Sequence, residues 1–214
     1  MQITVISDTH GHHHKLQLPP TTDMIIHAGD FSNVGRLAEV RIFLDWYAAL
    51  PHPYKVLIGG NHDFLLERSP FMFQSLLPDN IIYLENEGIE IEGIQFWGSP
   101  ITPFFFNWAF NRHRGPEIQK YWEKIPENVD VLITHGPPKG YGDVTVRGDV
   151  VGCEDLLERV LEVKPKYHIY GHIHEGFGIY STEPTTFINA SNMDEKYQMV
   201  NEPVVLEVEP QNGG

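Results

Sequence analysis

Cationic side chains are scarce in this chain. Fifteen Lys and Arg stand against 29 Asp and Glu in 214 residues, a formal net charge of −14. That balance argues against a broad basic surface gripping nucleic-acid backbone, so no stable nucleic-acid binding is expected. Cysteine is nearly missing. The one thiol, Cys153, cannot form an internal disulfide and has no paired-Cys spacing around it, so it reads as a half-buried or helix-start thiol. No apolar run approaches the ~20 residues a bilayer span requires, and no membrane association is expected. The first residues enter an apolar strand without a basic segment and cleavable apolar run, which makes the cytoplasm the default expectation. Repeats, low-complexity tracts and linkers are lacking too. Residues 1–214 are therefore read as one domain, long enough to bury a substantial core without staples. Nothing in the chain indicates an oligomeric state.

What is present alternates strand and helix. Residues 35–50 carry Leu37, Val40, Phe43, Leu44 and Tyr47 at helical spacing, and Pro51 stops the helix. Residues 64–77 read as helical with a break before Pro70. Ile89-Glu90-Ile91-Glu92 alternates strictly, as in a strand with one wet face, and the neighbouring Glu-Gly pairs mark turns. Residues 117–125 and 153–163 read as helices, and the segments 185–191 and 203–209 return to short strands. Alternating units followed by antiparallel strands predict a mixed α/β architecture with two sheets in contact.

Five short apolar runs each end in residues able to bind metal. ITVIS ends at Asp8 and His10, MIIHAG at Asp30, YKVLIGG at Asn61 and His62, VDVLIT at His135, and KYHIYG at His172 and His174. A buried parallel strand is a continuous apolar run, and ligands of open α/β sheets gather just past its carboxyl end. Asp8 and His10 are two apart, so an extended chain turns both to one side. Carboxylates, imidazoles and one amide suit a pair of Mn²⁺, Fe or Zn²⁺ ions, whereas an all-oxygen set would point to Mg²⁺ or Ca²⁺. His62, beside the amide ligand, is free to face a leaving group.

The ordered blocks Asp-x-His, Gly-Asp, Gly-Asn-His-Asp, His and Gly-His-x-His, spread over residues 8–174, resemble the calcineurin-like metallophosphoesterases. The resemblance implies a β-sandwich of two mixed sheets flanked by helices. It also implies a first metal on Asp8, His10, Asp30 and His174, and a second on Asp30, Asn61, His135 and His172, with Asp30 bridging. Segments GSPITPFFFNWAFN and GHIHEGFG look like the metallophosphodiesterase subgroup related to animal brain metallophosphoesterase-domain proteins. That likeness implies hydrolysis of small phosphodiesters such as cyclic nucleotides, with two divalent ions, Mn²⁺ foremost. A water bridging two such ions loses a proton near neutral pH and attacks phosphorus in line. Asp63 would orient His62, and His62 would stabilise or protonate the departing oxygen. Phosphomonoesterase or nuclease activity on the same site is the alternative, and a catalytically idle scaffold a more distant one.

Weaker features allow two readings. Phe104, Phe105, Phe106, Trp108 and Phe110 crowd one loop around Asn107, either as a satellite core or as an aromatic lip that stacks a nucleobase. On the second reading Phe106, Asn107, Trp108 and His113 would touch substrate. Arg112 and Arg114 could meet phosphate oxygens or form an exposed basic turn. His12, His13 and His14 are expected to be solvated, and His27 and His168 to be hydrogen-bonded core histidines.

Overall fold

The computed structural model describes residues 1–209. In chain order the strands are β1 (Gln2–Ile6), β2 (Met24–His27), β3 (Tyr54–Leu57), β4 (Ile82–Tyr83), β5 (Glu87–Ile91), β6 (Ile94–Ser99) and β7 (Thr102–Pro103). They continue with β8 (Asn111–Arg112), β9 (Val131–Thr134), β10 (Tyr167–Tyr170), β11 (Gly178–Thr182), β12 (Thr185–Asn189) and β13 (Val204–Glu207). The helices are α1 (Leu37–Ala49), α2 (Phe64–Arg68), α3 (Pro70–Leu76), α4 (Pro116–Trp122) and α5 (Glu154–Val163).

One sheet has the order β13-β1-β2-β3-β4 and the other β11-β12-β10-β9-β6-β5, with β7 and β8 forming a separate pair. Both large sheets are mixed, as expected. Their centres are parallel: β1, β2 and β3 in the first, β6, β9 and β10 in the second. The sequence predicts antiparallel strands in the tail, and β13 is so against β1. β12 instead runs parallel to β10, because the β11–β12 hairpin places β12 rather than β11 next to the sheet centre.

Alternation of side chains explains the layers. Ile3, Val5, Ile26 and Val56 of the first sheet share one buried cluster with Phe96, Val131, Ile133 and Ile169 of the second. Each such fully buried side chain contributes roughly 1.5–3 kcal/mol of transfer free energy. The opposite faces, through Ile25, Leu57, Leu132 and Phe187, join a cluster that contains the apolar stripes of α1, α4 and α5.

In α1 the residues Val40, Phe43, Leu44 and Tyr47 are buried as their spacing predicts, while Leu37, in the first turn, faces solvent. The Tyr47 hydroxyl, 2.9 Å from Ile25 O and 2.7 Å from Val56 O, seats the helix on the first sheet. Ser69 separates α2 from α3, whose first residue is Pro70. Glu92 and Gly93, both at positive φ, make the tight turn between β5 and β6. The other pair, Glu87-Gly88, lies inside β5 opposite Gly98 and Trp97 and makes no turn.

Cys153 is fully buried at the start of α5, and its Sγ accepts the Leu156 amide at 3.4 Å. His27 and His168 are core histidines bonded to Thr9 Oγ1 at 2.9 Å and Thr134 Oγ1 at 2.8 Å. The His12–His14 run departs from expectation. His13 is buried against Phe43 and Trp46, because a 3₁₀ turn at His13–Lys15 folds it inward while His14 stays exposed.

Candidate metal centre

The strands that carry motif residues are parallel within each sheet, so their carboxyl ends open together on one edge. The two sheets are tied there. The amide of His172, past β10, donates to the Asp8 carboxylate, past β1, at 3.0–3.1 Å, and His135 Nδ1, past β9, lies 2.9 Å from Ala28 O, past β2. A Cβ at Gly171 would collide with Asp8 Oδ2, and one at Gly60 with Asp30 Oδ1, which explains both motif glycines. Asp8, His10, Asp30 and His172 sit at φ of 53°, 39°, 56° and 69°. Left-handed backbone in non-glycine residues costs roughly 1–3 kcal/mol each and persists where surrounding contacts over-determine it, commonly at functional sites.

Two groups of donor atoms hold the expected ligands, and a third, of His10, Asp30 and His62, lies between them. In the first, His10 Nε2 is 3.3 Å from His174 Nε2, and His174 Nε2 is 3.7 Å from Asp8 Oδ1. In the second, His135 Nε2 is 3.2 Å from Asp30 Oδ2 and 2.9 Å from Asn61 Oδ1, and a nitrogen of His172 joins this group within 4.8 Å. Asp30 Oδ2 also approaches His10 Nε2 to 3.9 Å, so this carboxylate lies between the groups. All seven residues expected as ligands are thus gathered in two sets that share Asp30.

Backbone carbonyls fix the tautomers. His135 Nδ1 lies 2.9 Å from Ala28 O and His174 Nδ1 2.9 Å from Asp194 O. A carbonyl only accepts, so each ring carries a proton on Nδ1 and turns Nε2 inward. Burial pushes His10 down to about 4 and His172 to about 3, which keeps both rings neutral and able to coordinate. For His135 burial acts in the same sense, but Asp30 outweighs it and draws the imidazole up to about 9. Asp30 is held well below the usual carboxylate range despite its burial, by His135 and His62. A divalent cation competes for the positions such protons occupy. These residues fit a pair of divalent cations in donor type, arrangement and tautomer.

The two catalytic candidates part company. His62 Nε2 is 3.9 Å from Asp30 Oδ2, and its Nδ1 is 2.6 Å from Asn33 O. Asp63 does not orient it, contrary to expectation. The fully buried Asp63 carboxylate instead accepts from the amides of Asp30 (2.9 Å), Ser32 (3.0 Å) and Gly60 (2.8 Å) and from the Ser32 hydroxyl (2.6 Å). It follows His62 at the start of α2, which turns it into the protein beneath the Asp30 and Gly60 loops. Burial and the charge of Asp30 push Asp63 up to about 7, opposed by these donors.

A cavity of about 500 Å³ opens over the centre, lined by Asp30, Asn61, His62, His172 and His174 and by Phe104, Phe105 and Trp108. The Trp108 ring stacks on His62 with centroids 4.2 Å apart. The other three substrate candidates lie outside the lining. Phe106 is 80% exposed at a positive φ, Asn107 is exposed beside it, and His113 stacks on Phe104. Phe110 is buried in the core, so the aromatic loop is part satellite core and part cavity wall. Arg112 is committed to Glu67 and Tyr121, and Arg114, which does line the cavity, donates to Val151 O and Gly152 O. Sequence reasoning missed Tyr197, which lines the cavity with its ring 4.9 Å from that of His10, and Asn33 and Asp194, which act through backbone carbonyls. A carbonyl contact leaves no trace in residue type.

A two-layered sandwich with a dinuclear donor cluster at one sheet edge defines a metal-dependent hydrolase class. The model of the calcineurin-like phosphoesterases matches residues 1–176, and the chain belongs to that family. It is 39% identical to metallophosphoesterase domain-containing protein 1 of Homo sapiens, over 95% of this chain and 69% of that one, and equally to the Mus musculus protein. In fold it is similar to TT1561 of Thermus thermophilus, with a TM-score of 0.59, 12% identity and 88% of each chain covered. The family implies a dinuclear divalent-metal site, and the chain is a metal-dependent phosphoesterase.

Proposed function

We propose that this phosphoesterase cleaves small phosphodiesters, cyclic nucleotides and related nucleotide esters among them, with Mn²⁺ as the working ion and Fe or Zn²⁺ as substitutes. The observation that carries this reading is the cavity itself, in which the stacked His62–Trp108 pair stands directly beside the donor cluster. Phosphate on the centre leaves an organic substituent to lie against Trp108, Phe104 and Phe105. A volume of about 500 Å³ suits a small ester and excludes a folded polyanion. The net charge of −14 supports the same limit on partners. Among the described residues no helix is long and apolar enough to cross a membrane, and a cytoplasmic location is part of the proposal.

Two divalent cations, when bound, supply an acidified water and withdraw charge from phosphoryl oxygens. The chain's own residues do the rest. Asp8, His10, Asp30 and His174 would hold one ion, and Asp30, Asn61, His135 and His172 the other. Asn33 O accepts from His62 Nδ1, which turns Nε2 toward the centre, where the ring would stabilise or protonate the departing oxygen. Trp108 keeps that ring in plane and excludes water from one face. Asp63 holds the loops of Asp30 and Gly60 in register.

Hydrolysis of a bis-aryl phosphate, a mono-aryl phosphate and a cyclic-nucleotide panel with Mn²⁺ tests the proposal. Diesters are expected to be preferred. A preference of more than about tenfold for the mono-ester would replace this reading with a phosphomonoesterase.

A further inference from the structure

The family match ends at residue 176, yet a later loop reaches back to the centre. Its base is pinned at the end of β1, where Ser191 bridges to Ser7 and Asn192 Oδ1 accepts the Ser7 amide at 3.1 Å. Its tip is held chiefly by Asp194. The Asp194 side-chain Oδ1 accepts the amides of Lys196 at 2.9 Å and Gln198 at 2.8 Å, closing a tight turn. The Asp194 backbone carbonyl accepts twice, from the Tyr197 amide at 2.9 Å and from His174 Nδ1 at 2.9 Å. Tyr197 is thereby held at φ 58°, with its ring edge-on to His10 at 4.9 Å and to His174 at 5.3 Å.

We infer that Asp194 is a positioning residue for His174, and that its side chain acts by fixing the turn whose carbonyl orients the imidazole. The residue type matters because an aspartate oxygen can take two amides two and four residues ahead, as short polar side chains do in local turns. Without those bonds only the backbone pairs Tyr197 N to Asp194 O and Asp194 N to Gln198 O hold the turn against the left-handed strain at Tyr197, which costs roughly 1–3 kcal/mol. The turn then loosens, and its carbonyl is no longer held on His174 Nδ1. The ring gains freedom to rotate or to change tautomer, and its Nε2 no longer faces His10 and Asp8. Loss of such an outer hydrogen bond typically weakens metal binding about 10–100-fold. Tyr197 is carried by the same turn, so its ring leaves the cavity wall at the same time.

This inference rests on the ligand assignment above. Calorimetric titration of the chelated protein with Mn²⁺ distinguishes the two. Wild type is expected to take two equivalents. Asp194→Ala should weaken one equivalent about 10–100-fold and leave the other within about twofold. Asp194→Asn, which keeps Oδ1 as acceptor, should restore the lost affinity, and exposed Glu195→Ala should match wild type. Thermal melts of the metal-free variants report folding, and the loop's exposure predicts little change. Tight binding of both equivalents by Asp194→Ala would overturn this inference alone. So would failure of Asp194→Asn to rescue, which would assign the effect to charge. Absence of two equivalents in wild type would remove the ligand assignment and the inference with it.

Discussion

The imidazole of His62 lies nearly parallel to the indole of Trp108, with ring centroids 4.2 Å apart and 30° between planes. One ring nitrogen of His62 faces Asp30 and the other is held by Asn33 O, so the stacked tryptophan fixes the remaining rotational freedom of the side chain. Aromatic pairs of this kind are worth about 0.5–1.5 kcal/mol beyond area burial.

Trp108→Ala is therefore expected to lower kcat/KM about tenfold, the kinetic equivalent of ~1.4 kcal/mol. Trp108→Phe should recover most of it. Steady-state kinetics on a bis-aryl phosphate with Mn²⁺ reads the result, and equal rates in all three proteins would dissociate Trp108 from His62.

His62→Ala should retain both Mn²⁺ equivalents and lose roughly 10²–10⁴-fold in kcat, the range of general acid help. Because His62 Nε2 is 3.9 Å from Asp30 Oδ2, close to the metal centre, the metal content of the variant is decisive. Elemental analysis showing one ion fewer would reassign His62 as a ligand.

Asp63→Ala strips the acceptor from the amides of Asp30, Ser32 and Gly60 and from the Ser32 hydroxyl. Each orphaned buried donor costs about 1–3 kcal/mol, so the variant should lose roughly 3 kcal/mol or more of unfolding free energy. Chemical denaturation measures it. Mn²⁺ affinity should fall in parallel, since the Asp30 loop loses its anchor. An unchanged midpoint would mean that the loops stand without Asp63.

His168 supplies a pH dependence. Burial pushes its imidazole down to about 3, against about 6.5 in an unfolded chain. Between those values the unfolded state binds a proton that the folded state refuses. Its contribution is therefore complete above about pH 6.5 and declines as pH falls toward 3, by at most ~1.4 kcal/mol per pH unit. His168→Gln should flatten the slope of unfolding free energy against pH by about that amount between pH 5 and 6. A slope identical to wild type would show that the buried ring titrates normally.

The parallel strands and their ligand-bearing ends were readable because burial on both sheet faces demands unbroken apolar runs. Asp8, Asp30, Asn61, His135, His172 and His174 then stand out as polar interruptions at the ends of such runs. The stripe of α1 was equally legible from its 3.6-residue period, apart from Leu37 in the first turn. Residues whose roles depend on direction were harder. Asp63 adjoins His62 in sequence, yet the start of α2 sends the two side chains to different partners. The aromatic loop looked uniform in composition, and backbone turns alone separated buried Phe110 from exposed Phe106 and from Trp108 on His62.

Composition and periodicity thus specify which chemistry gathers at which strand ends, because both follow from short-range rules of burial and alternation. Tertiary packing assigns partners: Asn33 O to His62, Asp194 O to His174, and Asp30 Oδ2 between two donor groups. Those contacts join residues far apart along the chain, often through backbone atoms that every residue shares, and only the folded geometry selects among them.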